Sequence, residues 1–148
     1  MILDEFIQYR DVKHGGEFQR LHSKCKEVAY IASILSKTLF NEQLNVTSIF
    51  RKKTTDSGIH EQFRAIDFKP LSKEEYTYRL IEMINLIYTY DPKRPNLKVA
   101  AENPFHGTGQ HIHIQVHDNT TGLSPDRIEY FKLLAKNDAF KFKPQALV

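Results

Sequence analysis

The histidines of this chain are unevenly placed. Of its seven, five (His60, His106, His111, His113 and His117) lie between residues 60 and 117. Neutral imidazole is the commonest protein ligand for zinc, so a local concentration of it is a candidate metal site. The densest run is His111-Ile112-His113-Ile114-Gln115-Val116-His117. In a strand, successive side chains point to opposite faces. Ile112, Ile114 and Val116 would then anchor one face in the core, while His111, His113, Gln115 and His117 share the other. Upstream, His60 and Asp67 flank the turn into another strand. Asp67 stands between Ile66 and Phe68, where a carboxylate needs a partner. Either a metal or the guanidinium of Arg64 would serve.

The elements that must hold these residues are legible in outline. Apolar positions at three- and four-residue steps (Leu21, Cys25, Val28, Ala32, Leu35, Leu39) predict an amphipathic helix over 20–40. A β-prone stretch over 45–50 follows, then a polar loop over 51–58. A second strand is expected over 63–69. Ser72 as N-cap with Glu75 three residues later reads as a capping box, opening a helix to about Tyr90 that Asp91-Pro92 stops. Leu97, Val99 and Ala101 alternate as a third strand, a Pro/Gly-containing loop covers 103–110, and the histidine strand is the fourth. Ser124-Pro125 opens a last helix to about residue 136. The order of helices and closely spaced strands predicts an α+β fold with a small, mainly antiparallel sheet flanked by helices.

Composition narrows the function classes. The 148 residues suit one domain over 1–148, with no repeat, low-complexity tract or linker to suggest a second. Hydrophobic residues make up 41%, enough for one core, and no apolar run approaches the roughly 18 residues that span a membrane. The acidic start, Met1-Ile2-Leu3-Asp4-Glu5, does not read as a secretory signal peptide, so a cytoplasmic origin is expected. A net charge of +3 with scattered basic residues offers no stripe for nucleic acid. The single cysteine, Cys25, rules out an internal disulfide and lies on the apolar stripe, as a core thiol would.

Over residues 45–117 the chain resembles the hedgehog/D-alanyl-D-alanine zinc metallopeptidases, which include phage L-alanyl-D-glutamate endolysins. Their pattern runs S-x-H-x-x-G-x-A-x-D and later ends a strand in H-x-H. Here Ser57, His60, Ala65 and Asp67 answer the first part, and His111-Ile112-His113 the second. The resemblance implies His60, Asp67 and His113 as zinc ligands, with His111 contacting substrate or a developing oxyanion. Thr47-Ser48-Ile49-Phe50-Arg51 resembles the family's strand leading to an aromatic-arginine pair, which implies Arg51 as a ligand for a peptide carboxylate; the alternative for Arg51 is a loop cation beside Lys52 and Lys53.

Three departures stand out. Phe63 replaces the family's glycine, which implies a locally different turn. The serine lies one residue further from His60 than usual. Gln110 stands where active members carry an acid that takes a proton from water, leaving Glu102, His106 and His111 as candidate bases and Gln110 itself as a substrate contact. Two functions are therefore expected of the resemblance. One is zinc-dependent hydrolysis of peptidoglycan stem peptides, in phage or bacterial wall lysis, at the wall after release or within a virion. The other is a non-catalytic zinc-binding virion or adhesion module of the same fold.

Overall fold

The computed structural model describes residues 6–50, 59–103 and 110–122. Its first elements are β1 (Ile7–Tyr9) and α1 (Lys13–Arg20). Neither is announced by the sequence: β1 is only three residues long, and α1 carries Gly15 and Gly16 and buries little besides His14 and Phe18. Phe18 nevertheless locks the pair to the body, its ring meeting Tyr9 and Tyr30 edge-on at 6.3 and 5.8 Å.

The long amphipathic helix is α2 (Ser23–Phe40), whose buried stripe runs through Cys25, Val28, Ala32, Leu35 and Leu39 as the spacing requires. His22 caps it, its Nδ1 accepting from the Lys24 amide at 3.1 Å. Asn41 ends it in the left-handed conformation (φ 56°) that asparagine tolerates. Strand β2 (Leu44–Ser48) follows, and beyond residues 51–58 a tight turn leads into β3 (Ala65–Phe68).

Helix α3 (Glu74–Ile87) begins two residues later than its expected cap. Ser72 does not cap it: its amide and hydroxyl are both committed to the Glu42 carboxylate, at 2.9 and 2.5 Å. The helix start instead has Glu74 and Glu75 in its first turn, where the macrodipole favours negative charge. The helix stops at Ile87, three residues short of Tyr90.

The expected third strand is displaced toward the C-terminus. Leu97 lies in a turn, 40% exposed, and β4 (Ala100–Asn103) starts only after it. Asn85 of α3 closes part of this edge, its side chain exchanging bonds of 2.8 and 2.9 Å with the carbonyl and amide of Ala100. The histidine strand β5 (His111–Gln115) ends two residues before His117. The helix expected over 124–136 lies outside the described residues.

The five strands form one mixed sheet in the order β1-β2-β3-β5-β4. Only β1 and β2 run parallel; the remaining pairings are antiparallel, so the sheet is mainly antiparallel and the fold α+β. Among the described residues no helix is long and apolar enough to cross a membrane. Ile66, Phe68, Ile112, Ile114, Leu44 and Val46 are fully buried on the face that α2 and α3 cover. Each such side chain contributes roughly 1.5–3 kcal/mol by leaving water. Phe40 and Tyr76 stack at 4.6 Å to join the two helices. Among the described residues α2 and α3 thus occupy one face, and the polar side chains of β3 and β5 lie on the other.

A candidate metal centre on the open face of the sheet

Register brings the polar residues together. Asp67 of β3 pairs directly with His113 of β5, and Ala65 with Gln115. Residues directly opposite in an antiparallel pair project to the same side. Across the other edge Ala101 of β4 faces His113, and being small and exposed it leaves that imidazole uncovered from this side. His60 reaches the same point from the turn before β3. Backbone bonds close that turn, from the Phe63 amide to the His60 carbonyl and from the Arg64 amide to the Ile59 carbonyl, both 3.1 Å.

The turn passes through Phe63 at φ 57°, a conformation that costs a non-glycine residue about 1–2 kcal/mol. Phe63 thus holds a left-handed backbone of the kind that glycine adopts without strain. Phe50 stacks on the Phe63 ring at 5.0 Å and Arg20 lies over it at 4.4 Å, and these contacts offset the strain.

His60, Asp67 and His113 each offer a ligand atom, all within 4.8 Å of one another. Asp67 Oδ1 lies 2.8 Å from His113 Nδ1, and Oδ2 lies 3.4 Å from His60 Nε2. The two rings are 5.3 Å apart. His60 and Asp67 are almost wholly buried, at 0% and 1% exposure, while His113 retains some access to solvent.

The outer nitrogens show which way the lone pairs point. His60 Nδ1 meets the Ile49 carbonyl at 2.8 Å. A carbonyl only accepts, so this nitrogen carries the proton and Nε2 presents its lone pair to Asp67. His113 Nε2 meets Gln115 Oε1 at 3.1 Å, and the Gln115 amide in turn donates to the Lys98 carbonyl at 3.0 Å. That chain places the proton on His113 Nε2 and leaves Nδ1 facing Asp67. A carboxylate and two imidazole lone pairs thus converge, an arrangement relieved by a cation placed among them. Among the described residues the buried His60 Nε2 has no hydrogen-bond partner. With metal–ligand bonds of about 2.0–2.1 Å, neighbouring donors of a tetrahedral site stand roughly 3.3 Å apart. The 3.4 Å between His60 and Asp67 matches that spacing. The residues present fit a metal ion.

Electrostatics agree. Burial pushes the Asp67 carboxyl up, but where the rings of His113 and His60 carry a proton toward it in place of a bound cation, their hydrogen bonds and charges outweigh burial and hold the group well below the usual carboxylate range. The Cys25 thiol is pushed far up by burial first and by the charge of Asp67 second, as suits an inert core residue.

The other expected residues divide. His111 is buried on the same face, its Nε2 3.6 Å from Asp67 Oδ2. Gln110 is exposed beside it, and the two residues line one cavity at this end of the cluster. Glu102 is not brought to the cluster. It lies directly opposite Ile112, so its side chain leaves the sheet on the helix face, next to Tyr78. Arg64, the alternative partner for Asp67, pairs instead with Asp118 at 2.9 Å. His117, beyond the end of β5, packs against Tyr90 and lies 4.0 Å from Asp91. Arg51 and His106 lie outside the described residues.

Gln115 and the Ile49 carbonyl complete the site, and sequence reasoning assigned neither. Strand alternation places Gln115 on the right face, two residues from His113, which was signal enough. A main-chain carbonyl leaves no such trace. Comparison with known protein families, curated proteins and solved structures finds no match to this chain. What the fold and site define is therefore a class by geometry: an α+β sheet protein with a three-residue His/Asp/His cluster close enough to bind a metal ion.

Proposed function

We propose that the chain is a zinc-dependent peptidase that cleaves the stem peptides of bacterial peptidoglycan, in the manner of the hedgehog/D-alanyl-D-alanine metallopeptidases it resembles. The observation that carries this reading is the convergence of His60 Nε2, an Asp67 oxygen and His113 Nδ1, with both histidine tautomers fixed from behind. Two imidazoles and one carboxylate suit zinc better than calcium or magnesium, which prefer oxygen donors. Three protein ligands leave a position open, and zinc bound there would polarise a peptide carbonyl and make water acidic enough to attack it.

The chain's own residues supply the rest. His111, buried beside Asp67, is placed to hold or pass a proton at Nε2. The Gln110 amide cannot take a proton at neutral pH; it can hydrogen-bond a substrate backbone from the cavity's rim. Arg51 and His106 remain proposed as a carboxylate ligand and a further proton carrier. The setting we propose is a phage or bacterial lytic role, reached by release to the wall or within a virion, with peptide rather than nucleic acid or membrane as partner.

One observation favours a second reading, a zinc-binding virion or adhesion module without catalysis. Gln110 occupies the expected acid position, and Glu102, which could have replaced it, faces the helices. Metal analysis of purified protein, paired with muropeptide digestion by wild type and His113→Ala, decides between them. The peptidase predicts about one zinc per chain and cleavage that His113→Ala abolishes. Zinc without cleavage favours the module, and no zinc after reconstitution overturns both.

A further inference from the structure

A cavity of about 830 Å³ opens on the ligand face beside the cluster, lined by Gln8, Arg10, Asn45, Thr47, Lys69 and His111 among others. Its position follows from the sheet. Gln8 and Asn45 are register partners and alternate with core residues Ile7, Leu44 and Val46, so they project away from the helices. Lys69 follows Asp67 by two residues and shares its side. His111 forms the end nearest the cluster, 3.6 Å from the Asp67 carboxylate. A cavity of this size accommodates a small ligand or a short piece of peptide.

Among the described residues the charges of this cavity are of one sign and enter no ion pair. Among the described lining residues there is no aspartate or glutamate, and the cations are Arg10 and Lys69. Among the described residues the Arg10 guanidinium makes one long 3.5 Å contact, with the Thr47 carbonyl, which steadies it without neutralising it. On the other side of the cluster, a cavity of about 490 Å³ at Gln115 also contains two arginines, yet both are occupied. Arg64 pairs with Asp118 at 2.9 Å and Arg94 with Asp91 at 3.0 Å. The two sides of the cluster therefore differ in available charge.

We propose that the cavity between Arg10, Lys69 and His111 is an anion subsite that receives a carboxylate-bearing portion of the peptide, so that the substrate lies across the cluster in one direction only. A carboxylate suits the pair because guanidinium offers a planar two-point donor and the lysine adds a point charge. The assignment of peptide as the ligand rests on the function proposed above; the cations, unpaired among the described residues, and the cavity stand apart from it.

Calorimetric titration of the full-length protein with L-alanyl-D-glutamate and with its diamide tests the subsite. Measured with and without zinc, wild type should bind the acid roughly tenfold more tightly than the diamide at low salt, with the preference shrinking as salt is raised. The double variant Arg10→Ala/Lys69→Ala should bind the two probes alike and keep the zinc content of wild type. Both side chains are exposed, so the fold should tolerate their loss. The pair Arg10→Lys/Lys69→Arg should restore most of the preference. Equal binding of acid and diamide by wild type, binding of neither, or a preference that survives the double variant overturns the subsite. Failure to take up zinc overturns the peptidase reading instead, and the acid–diamide comparison on zinc-free protein still decides the subsite.

Discussion

Replacing Asp67 by asparagine separates a metal ligand from a partner in a structural ion pair, because the two roles predict effects of different sign. In the zinc-free protein with both imidazoles neutral, the histidine protons sit on the outer nitrogens, held there by Ile49 and Gln115. The Asp67 carboxylate then faces two lone pairs, at 2.8 and 3.4 Å. An amide in its place donates one hydrogen bond where there was repulsion, a gain of about 0.5–1.5 kcal/mol. The thermal midpoint of Asp67→Asn without zinc should thus equal or exceed wild type by a few degrees, at roughly 2–4 °C per kcal/mol. Zinc at about 100 times its Kd stabilises wild type by about 2.7 kcal/mol, or roughly 5–11 °C, and this response should vanish in the variant. Scanning calorimetry with chelator and with buffered zinc measures both. A zinc-free variant that melts roughly 6–20 °C lower, the loss of about 3–5 kcal/mol expected on breaking a buried ion pair, would refute the reasoning. So would an undiminished zinc response.

The remaining predictions concern the groups around that carboxylate. Gln115→Leu frees the His113 ring from its anchor and should weaken zinc binding roughly 10- to 100-fold while the protein stays folded; a competition titration with a chromophoric chelator would show this, and unchanged affinity would remove Gln115 from the site. Glu102→Gln should leave any peptide cleavage at the wild-type rate, since that side chain faces α3; a large drop in turnover would contradict its placement. Acid unfolding of the zinc-free protein, followed by circular dichroism, should reveal the depressed Asp67 carboxyl. In acid, where His60 and His113 are protonated beside it, its stabilising contribution is present at the ordinary aspartate value of about 3.9 and is lost as the pH falls from there through the lower native value. Asp67→Asn should lack that part of the acid limb, and superimposable curves would contradict the shift.

The helices and strands that could be read in advance were those whose side-chain pattern repeats over several turns or pleats. Helix α2 shows its stripe over eighteen residues, and β5 alternates isoleucine with polar residues along its whole length. Where tertiary contacts overrule local chemistry, the reading slipped. Ser72 is a good cap by composition, but Glu42 reaches it from the end of α2 and takes both of its donors. Leu97 alternates with Val99 yet falls in a turn that the residues after Asp91 impose. Strand β1 is short and pairs with a strand 37 positions later, so nothing local marks it. At the cluster, strand parity placed His111 and His113 on one face of their strand, while Asp67 was joined to them only through the family resemblance. They could not place Glu102, because a strand starting at Ala100 in register with Ile114 sends residue 102 to the helices. Parity depends on register, and register is a property of the assembled sheet.

The turn that carries His60 is moored at its far end to the first half of the chain. The Phe63 carbonyl accepts from the His22 amide at 2.9 Å, at the junction of α1 and α2, while Arg20 rests on the Phe63 ring. His22 in turn sits 3.2 Å from Asp118, which also holds Arg64. An ion drawn in by His60 would pull on this mooring as well as on the sheet. The junction between the two helices then becomes a reporter: its amides should exchange more slowly with solvent once the site is filled, although no atom of it approaches the ion.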